Sequence, residues 1–283
     1  EFYLAFVILL LGAVFTYYFS KLNNSVESIL IRKCLIMRNS KRFITPKFQE
    51  VEIVHREDVT ADLMKLWVEK PDGFQFKPGQ YCTIGLNGVE RAYSIVSAPH
   101  EENLELFVEL VHPPDGVFTP MIWDTVVGDK VTCRFKPKGI FILNNQLTNH
   151  FLIATVTGIV PYISMIRDYI HKNEDKNFKF FIAHGASYID EFVYDLELEG
   201  YAKKYPDLVQ YFPTISRPNE SKNVSWIGLK GRVNDFTQSM INDLNLTNQD
   251  TVIYVCGHPG MIENVKEKLN PQGFKVVEER FWK

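Results

Sequence analysis

The feature that most constrains the fold is a change of pattern halfway along the chain. Residues 144–283 alternate between short apolar runs and longer amphipathic runs. Such alternation of β and α segments predicts a parallel sheet with helices on both faces, in which ligands bind beyond the carboxyl ends of the strands. The expected strands are Phe151–Ala154, Phe178–Ala183, Val209–Thr214, Thr251–Val255 and Phe274–Glu278, and the expected helices are Pro161–His171, Asp190–Tyr205, Val233–Leu244 and Met261–Leu269.

Residues 48–143 carry a different pattern, in which apolar and polar residues alternate over short stretches. Turn signals such as Lys77-Pro-Gly79 and Asn87-Gly88 separate these stretches. Many short strands at this spacing predict an antiparallel barrel or sandwich. The expected strands are Gln49–Val54, Leu63–Val68, Tyr81–Leu86, Arg91–Val96, Leu104–Val111 and Lys130–Phe135. The fold class is therefore β followed by α/β.

An uncharged apolar segment, residues 2–19, precedes both patterns. Its length approaches the roughly 20 residues that span a bilayer, and aromatic residues stand at its end, where an interfacial belt would lie. The basic residues that follow predict that the rest of the chain faces the cytoplasm. We expect a transmembrane anchor at 1–20 and an amphipathic, basic linker at 21–47. A cleaved signal peptide, for which the run lacks a small-residue cleavage site, and a buried core helix are the alternatives.

Charge and cysteine content argue against two classes of function. The net charge is −3, so the overall charge gives no support for nucleic-acid binding. The cysteines, Cys34, Cys82, Cys133 and Cys256, are scattered along the chain. They lack the spacing of a zinc or iron–sulfur site, so no metal site is expected. Any iron–sulfur centre that exchanges electrons with this chain is expected on another protein.

Two motifs in the first half carry chemistry. In Arg91-Ala-Tyr-Ser94, a guanidinium can bind a pyrophosphate, an aromatic ring can cover a flat ring system, and a small hydroxyl can contact a ring nitrogen. Gly116-Val-Phe-Thr119 leads into a helix that we expect to have Pro120 at its first position, and helix N-termini suit anions. The alternatives are an ordinary half-exposed strand and a threonine cap without a ligand.

In the second half the conspicuous residues follow expected strands. Thr157-Gly158 follows the first strand, Ser216-Arg217 the third, and Cys256-Gly-His-Pro-Gly-Met261 the next-to-last. There is no Gly-x-Gly-x-x-Gly, so the usual dinucleotide-binding fingerprint is absent. A buried structural cysteine and solvated surface arginines are the alternatives at these positions.

Taken in order, these motifs resemble those of the ferredoxin–NADP reductase family of flavoenzymes, in its bacterial ferredoxin/flavodoxin branch. The resemblance runs from about Phe48 to the C-terminus. It implies an antiparallel six-stranded FAD-binding barrel at 48–143 and a parallel doubly wound NAD(P)-binding domain at 144–283, both after the N-terminal membrane helix.

The resemblance also implies roles for individual residues. Arg91 would hold phosphate, Tyr93 would lie against the flavin ring, and Ser94 would sit near its N5; Ser94 and Cys256 are the catalytic candidates, the latter as a neutral thiol. The implied FAD-binding residues are Arg91, Ala92, Tyr93, Ser94, Phe107, Val108, Glu109, Gly116, Val117, Phe118, Thr119, Phe281 and Trp282. The implied nucleotide-binding residues are Thr157, Gly158, Ser187, Ser216, Arg217, Arg232, Cys256, Gly257, His258, Pro259, Gly260 and Met261.

The resemblance favours NADPH over NADH as the reductant. Ser216-Arg217 and Gly231-Arg232 match two basic features of NADP-dependent members, whereas Ser187 stands where many bacterial members carry an arginine. Val156 departs from the pattern, because the family has a glycine there. A β-branched residue restricts the backbone and blocks close approach of a ligand.

The expected function is that of a flavoprotein oxidoreductase that moves electrons between NADPH and a one-electron carrier, ferredoxin or flavodoxin, through FAD. An enzyme resembling NADH–cytochrome b5 reductase or a monooxygenase reductase is an alternative. A weakly active, membrane-tethered flavin-binding module is another.

Overall fold

The computed structural model describes residues 47–172 and 177–280. The expected membrane anchor at 1–20 and almost all of the linker lie outside these residues, as do Phe281 and Trp282. Within the described ranges, none of the helices combines the length and the apolar character that a membrane crossing requires.

The first half forms the expected six-stranded antiparallel sheet, in the order β4-β3-β6-β1-β2-β5. Its elements are β1 (Phe48–Asp58), β2 (Leu63–Glu69), β3 (Tyr81–Leu86), β4 (Val89–Ser94), β5 (Asn103–Glu109), the short helix α1 (Phe118–Trp123) and β6 (Lys130–Arg134). The two edge strands approach each other through an isolated bridge between Ile95 and Leu106. The sheet therefore curls into a near-barrel around buried side chains such as Met64, Leu66 and Ile84.

Strand β4 begins two residues earlier than the sequence predicted. Leu86 pairs directly with Val89, which leaves Asn87 and Gly88 as a two-residue hairpin turn. Both have positive φ angles, 51° and 80°, as the tightest β-hairpin turns require. The turn therefore fixes the register of the strand that carries Arg91 to Ser94.

The second half forms a six-stranded sheet in the order β10-β9-β8-β7-β11-β12, and each neighbouring pair in it is parallel. Its strands are β7 (Asn149–Thr155), β8 (Lys179–Ala186), β9 (Val209–Ile215), β10 (Leu229–Lys230), β11 (Thr251–Cys256) and β12 (Lys275–Glu279), and its helices are α2 (Val160–Lys172), α3 (Asp195–Lys204), α4 (Val233–Asp243) and α5 (Pro259–Leu269). The two-residue strand β10 was not predicted, because it is exposed and carries no apolar pattern.

Helices cover both faces of this parallel sheet, as predicted. On β8, Phe180 and Ile182 pack with buried residues of α2 and α3. Phe181 and Ala183 face the other side and pack with residues of α4 and α5. The alternation of side chains along one strand thus supplies both cores.

The helix expected at Asp190–Tyr205 is present but begins five residues later than predicted. The segment begins with a 3₁₀ turn at Ile189–Glu191, and α3 starts at Asp195. The carboxylate of Glu191 folds back to accept hydrogen bonds from the backbone N–H groups of Ser187 (2.7 Å) and Tyr188 (3.3 Å). This local capping satisfies the turn by itself, and Phe192, which ends it, has a non-helical ψ of 67°.

An ion-pair network joins the two halves. Arg167 of α2 donates to Glu105 of β5 at 2.6 Å and forms a two-pronged pair with Glu197 of α3 at 2.7 Å. Glu105 is only 3% exposed, and its other oxygen accepts from the Tyr194 hydroxyl at 2.8 Å. Because buried charges need close partners, this network fixes the barrel against the parallel sheet.

Candidate functional site

A cleft of about 330 Å³ opens where the barrel meets the parallel sheet. Its volume lies in the range of ligand-binding pockets. One wall is β4, the opposite wall is β5 and the turn after it, and the third side belongs to the second half of the chain. The residues that line it are Arg91, Ala92, Tyr93, Ser94, Phe107, Glu109, Val111, Asp115, Gly116, Val117, Phe118, Thr119, Thr157 and Val160.

Ser94 contributes a buried hydroxyl with no hydrogen-bond partner among the described residues. Its side chain is 7% exposed, at the end of β4 where the strand meets the cleft. Buried polar atoms in native proteins are almost always paired. An orphaned hydroxyl that lines a cleft therefore indicates a ligand atom as its partner.

Arg91 and Tyr93 offer the other two groups that a flavin nucleotide needs. Arg91 is exposed, and the one hydrogen bond described for its guanidinium goes to the backbone carbonyl of Glu90 at 2.8 Å. Tyr93 is half-buried against Phe118, with ring centroids 5.9 Å apart. Burial raises the pKa of the Tyr93 phenol, so Tyr93 stays neutral and presents an aromatic face.

Strand β5 separates the residues that the sequence had grouped together. Phe107 and Glu109 line the cleft, whereas Val108 points the other way into the barrel core. The Val108 side chain therefore does not reach the cleft, because successive side chains of a strand face opposite sides. Burial, followed by Asp62 and Glu191, raises the pKa of the Glu109 carboxyl.

The turn from Val111 to Thr119 is built differently from the expectation. Helix α1 begins at Phe118 with Val117 as its N-cap, so Pro120 is not at the first helical position. The Thr119 hydroxyl donates to the Val111 carbonyl at 3.0 Å and accepts from the Val111 N–H at 2.9 Å. It closes the turn instead of capping the helix.

Gly116 is required by this turn. A Cβ there would lie 1.7 Å from the carbonyl oxygen of Val111, so no other residue fits unless the turn moves. The glycine lets the backbone return close to β5 and places Val117, Phe118 and Thr119 on the cleft wall.

The loops after β7 and β11 pack tightly together. A Cβ on Gly158 would lie 2.2 Å from the Cys256 carbonyl oxygen, and one on Gly257 would lie 2.2 Å from the Thr155 hydroxyl. That hydroxyl accepts from the His258 N–H at 2.7 Å. Of these loops, Thr157 is the residue that lines the cleft.

Val156 adopts the left-handed conformation, with φ at 43°. Its carbonyl oxygen lies 3.2 Å from Nε2 of the buried His184. The backbone at this position thus takes the conformation that suits glycine, although the residue is β-branched.

Cys256 does not line the cleft. Its side chain is fully buried in the core that also contains residues of β7 and α2. Burial, reinforced by the nearby Glu279 carboxyl, raises the pKa of the thiol. Cys256 is therefore a neutral thiol, which agrees with the expectation that it is not a nucleophile. Glu279 pairs with Cys256 across β11 and β12; burial raises the pKa of its carboxyl to about 7.

The rest of the Cys256–Met261 segment has mainly structural contacts. The His258 ring accepts from the Gly260 N–H at 3.0 Å and caps α5, in which Pro259 is the first residue. The side chain of Met261, an expected nucleotide-binding residue, is buried in the core between the sheet and α5.

A second polar cluster lies at the carboxyl ends of β8 and β9. The Gly231 N–H donates a hydrogen bond to the Ile215 carbonyl at 2.8 Å, so the chain returns beside β9. Ser216-Arg217 and Arg232 therefore lie at the same edge of the sheet. Arg232 is exposed at the N-cap of α4. Arg217 donates to the Tyr188 hydroxyl at 2.7 Å. The backbone of Ser187 is held by Glu191 in the same region.

The residues of the cleft fit a flavin nucleotide. Aromatic side chains, an unpartnered buried hydroxyl and an exposed guanidinium occur together, as a ring system with a pyrophosphate requires. Sequence reasoning missed Val111, Asp115 and Val160 on the cleft wall. Asp115 could have been found, since it directly precedes Gly116, but Val160 reaches the cleft through the packing of the two halves.

Comparisons with known proteins agree with this geometry. Residues 152–267 match the model of the oxidoreductase NAD-binding domain family. A flavodoxin/ferredoxin–NADP reductase of Buchnera aphidicola subsp. Baizongia pistaciae is 30% identical over 228 residues, covering 73% of this chain and 88% of the relative. A ferredoxin–NADP reductase of Pseudomonas aeruginosa is 29% identical over 72% of this chain and 82% of its own length. A ferredoxin NADP+ reductase structure from Neisseria gonorrhoeae with bound FAD and NADP superposes with a TM-score of 0.72 at 21% identity, over 83% of this chain and 99% of that one.

Proposed function

The chain belongs to the ferredoxin/flavodoxin–NADP reductase family, and from this membership we propose that it is a flavoprotein oxidoreductase that moves electrons between NADPH and a one-electron carrier, ferredoxin or flavodoxin. The strongest support is the buried hydroxyl of Ser94 at the meeting point of the two halves, which has no hydrogen-bond partner within residues 47–172 and 177–280. Bound FAD would supply the hydride and single-electron chemistry that side chains lack.

The residues of the cleft bind and orient the cofactor. Arg91 supplies a charged donor for the pyrophosphate, and the backbone around Gly116 allows close approach. Tyr93 would offer the flavin ring an aromatic face, and Ser94 would offer it a hydrogen-bonding hydroxyl. Thr157 reaches the same cleft from the second half, so the nicotinamide end of NADPH would arrive from that side.

Arg217 and Arg232 are proposed to recognise the 2′-phosphate that distinguishes NADPH from NADH. Replacing both with Ala should raise the KM for NADPH by at least tenfold more than the KM for NADH, because each lost charged hydrogen bond to phosphate is worth about 1.5–3 kcal/mol. Equal effects on both nucleotides would contradict this assignment.

The direct test is anaerobic reduction of the full chain, purified in mild detergent and loaded with FAD. Flavin absorbance is followed after mixing with NADPH and, separately, with NADH. Fast bleaching by NADPH supports the proposed reductase. Bleaching by NADH alone would favour the cytochrome b5 reductase-like alternative, and a yellow protein that neither nucleotide bleaches would favour a non-catalytic flavin-binding module.

We also propose that residues 2–19 anchor the protein in a membrane, with residues 48–283 on the cytoplasmic side. The uncharged length of this run and the basic residues after it support the proposal. The anchor predicts that alkaline carbonate will not extract the protein from membranes, and that protease will digest the catalytic part only from the cytoplasmic face. Release by carbonate would refute it.

A further inference from the structure

Tyr188, two residues after the end of β8, lies between two cations at the edge of the parallel sheet. The Cζ atom of Arg217 is 5.3 Å from the centroid of its ring, and Nζ of Lys222 is 4.9 Å from it. The Arg217 guanidinium also donates to the Tyr188 hydroxyl at 2.7 Å. The Arg217 guanidinium and the Tyr188 hydroxyl can therefore bind the same anionic group.

A carboxylate of the chain itself occupies that place. The Tyr188 hydroxyl donates to Glu220 Oε2 at 2.7 Å, and Arg217 Nη1 lies 3.6 Å from Glu220 Oε1. Glu220 therefore uses one guanidinium and one hydroxyl, the two kinds of donor that bind phosphate oxygens most readily.

We infer that Glu220 competes with the 2′-phosphate of NADPH for Arg217 and Tyr188. The phosphate binds these two residues by displacing the Glu220 carboxylate. Glu220 then determines how strongly the enzyme prefers NADPH over NADH, and Tyr188 belongs to the phosphate site. The inference rests on the proposed function and deepens it, by naming what holds the phosphate site before the nucleotide arrives.

The carboxylate can leave without disturbing the loop. Arg217 and Glu220 side chains are about half exposed, 52% and 50%, and exposed ion pairs contribute little to stability. The loop is held by Asn223 instead, which is 2% exposed. Its amide donates to the carbonyls of Ser187 (2.9 Å) and Arg217 (2.8 Å), and its oxygen accepts from the Ile189 N–H at 3.0 Å.

The charges around the cluster make the competition effective. Lys222 Nζ also lies 3.5 Å from Oδ2 of Asp190. The cluster therefore holds two cations and two carboxylates when Glu220 is in place. A phosphate monoester brings a charge of about −1.5 to −2 at neutral pH, which repels a carboxylate left nearby. Removing the Glu220 charge should therefore favour the phosphate specifically.

The test is the binding of adenosine 2′-monophosphate to the full chain by calorimetry, in buffer without phosphate or sulfate. Glu220→Gln should tighten binding by about tenfold, the size expected for one unit charge several ångströms from a phosphate in water. The gain should shrink at high salt, because screening acts on exposed charges. Asp190→Asn is the matched control: it removes a like charge from the same cluster without touching Arg217 or Tyr188, so its effect should be at least threefold smaller.

The ratio of the KM for NADH to the KM for NADPH should rise with the same variant. Equal affinities of wild type and Glu220→Gln for adenosine 2′-monophosphate would overturn the inference, as would an equal gain from Asp190→Asn. Tighter binding by Glu220→Gln in a protein whose flavin NADPH does not reduce would leave the inference standing and refute the proposed reductase activity. If NADPH reduces the flavin but Glu220→Gln does not tighten binding of adenosine 2′-monophosphate, the reductase activity stands and the inference about Glu220 is refuted.

Discussion

His150 in β7 makes the stability of this protein sensitive to acid. It is fully buried against Phe178, Phe180 and Tyr254, with ring centroids 4.5, 5.4 and 6.0 Å away. Neither ring nitrogen has a hydrogen-bond partner among the described residues. Burial lowers the pKa of His150 from 6.5 to about 4. The imidazole is therefore neutral in the folded state at pH values where the unfolded chain binds a proton.

The sign and size of the effect follow from proton linkage. A lowered histidine pKa gives stability that is fully present above pH 6.5 and is lost as the pH falls toward 4. With these two pKa values, one histidine removes about 2 kcal/mol of unfolding free energy between pH 7 and pH 5. Replacing His150 with Phe keeps an aromatic ring in an aromatic environment and removes the titrating group.

We therefore expect His150→Phe to be more stable than wild type at pH 5 by about 2 kcal/mol beyond any difference at pH 7. In a domain of this size, that extra stability corresponds to about 4–8 °C in Tm. The assay is urea unfolding at pH 5, 6 and 7 with FAD in equal excess. Other buried titrating groups, such as His184 and Glu279, are common to both proteins and cancel in the difference.

Val252→Ala is the matched control, since Val252 pairs with His150 on the neighbouring strand β11 and is also fully buried. It should lower stability by the same amount at every pH, because it removes no titrating group. If the stability curves of His150→Phe and wild type run parallel from pH 7 to pH 5, the buried neutral histidine is not the cause of acid sensitivity and the reasoning fails.

Three further predictions concern the interface, the strained backbone and the cleft. Arg167→Met should lower the free energy of unfolding by about 3–5 kcal/mol, because it leaves the buried Glu105 without its cation. The double variant Arg167→Met with Glu105→Leu should recover part of this loss in the same denaturation assay. Val156→Gly should change the free energy of unfolding by less than about 1 kcal/mol, since relief of the left-handed conformation offsets the added chain entropy. The control Val160→Gly, at an ordinary φ of −50°, should cost about 2–5 kcal/mol. Similar losses in the two variants would count against backbone strain at Val156. Ser94→Ala should slow flavin reduction by NADPH by about tenfold or more. It should not lower the Tm of the FAD-free protein, since the described residues offer the hydroxyl no hydrogen-bond partner; a lower Tm would indicate a structural role.

Much of the fold could be predicted from local pattern. The alternation of apolar residues and the Gly-containing turns placed most strands of both sheets, because period and turn chemistry act over a few residues. The pattern failed at Asp190–Tyr205, where the side chain of Glu191 caps a 3₁₀ turn and interrupts the helix. It also missed β10, whose strand character comes only from pairing with β9.

Arg91, Tyr93, Ser94 and Gly116, which the motifs singled out, all line the cleft; their chemistry and order along the chain are visible in the sequence. The sequence could not show that Thr119 bonds back to Val111. It also could not show that Val108 and Met261 face the cores, because burial depends on which side of an element another element covers.

The two kinds of sheet, their order along the chain and the identity of the groups available for chemistry all follow from local features of the sequence. Which of these groups meet depends on how the elements pack in three dimensions. Arg167 joins the halves, and the Ser94 hydroxyl is buried without a hydrogen-bond partner in the described part of the chain. Glu220 closes on Arg217 and Tyr188 across the ends of separate strands. The contacts from Arg167 to Glu105 and from Tyr188 to Glu220 join residues far apart in sequence, and their geometry is fixed by the packing of separate elements, which no local pattern encodes.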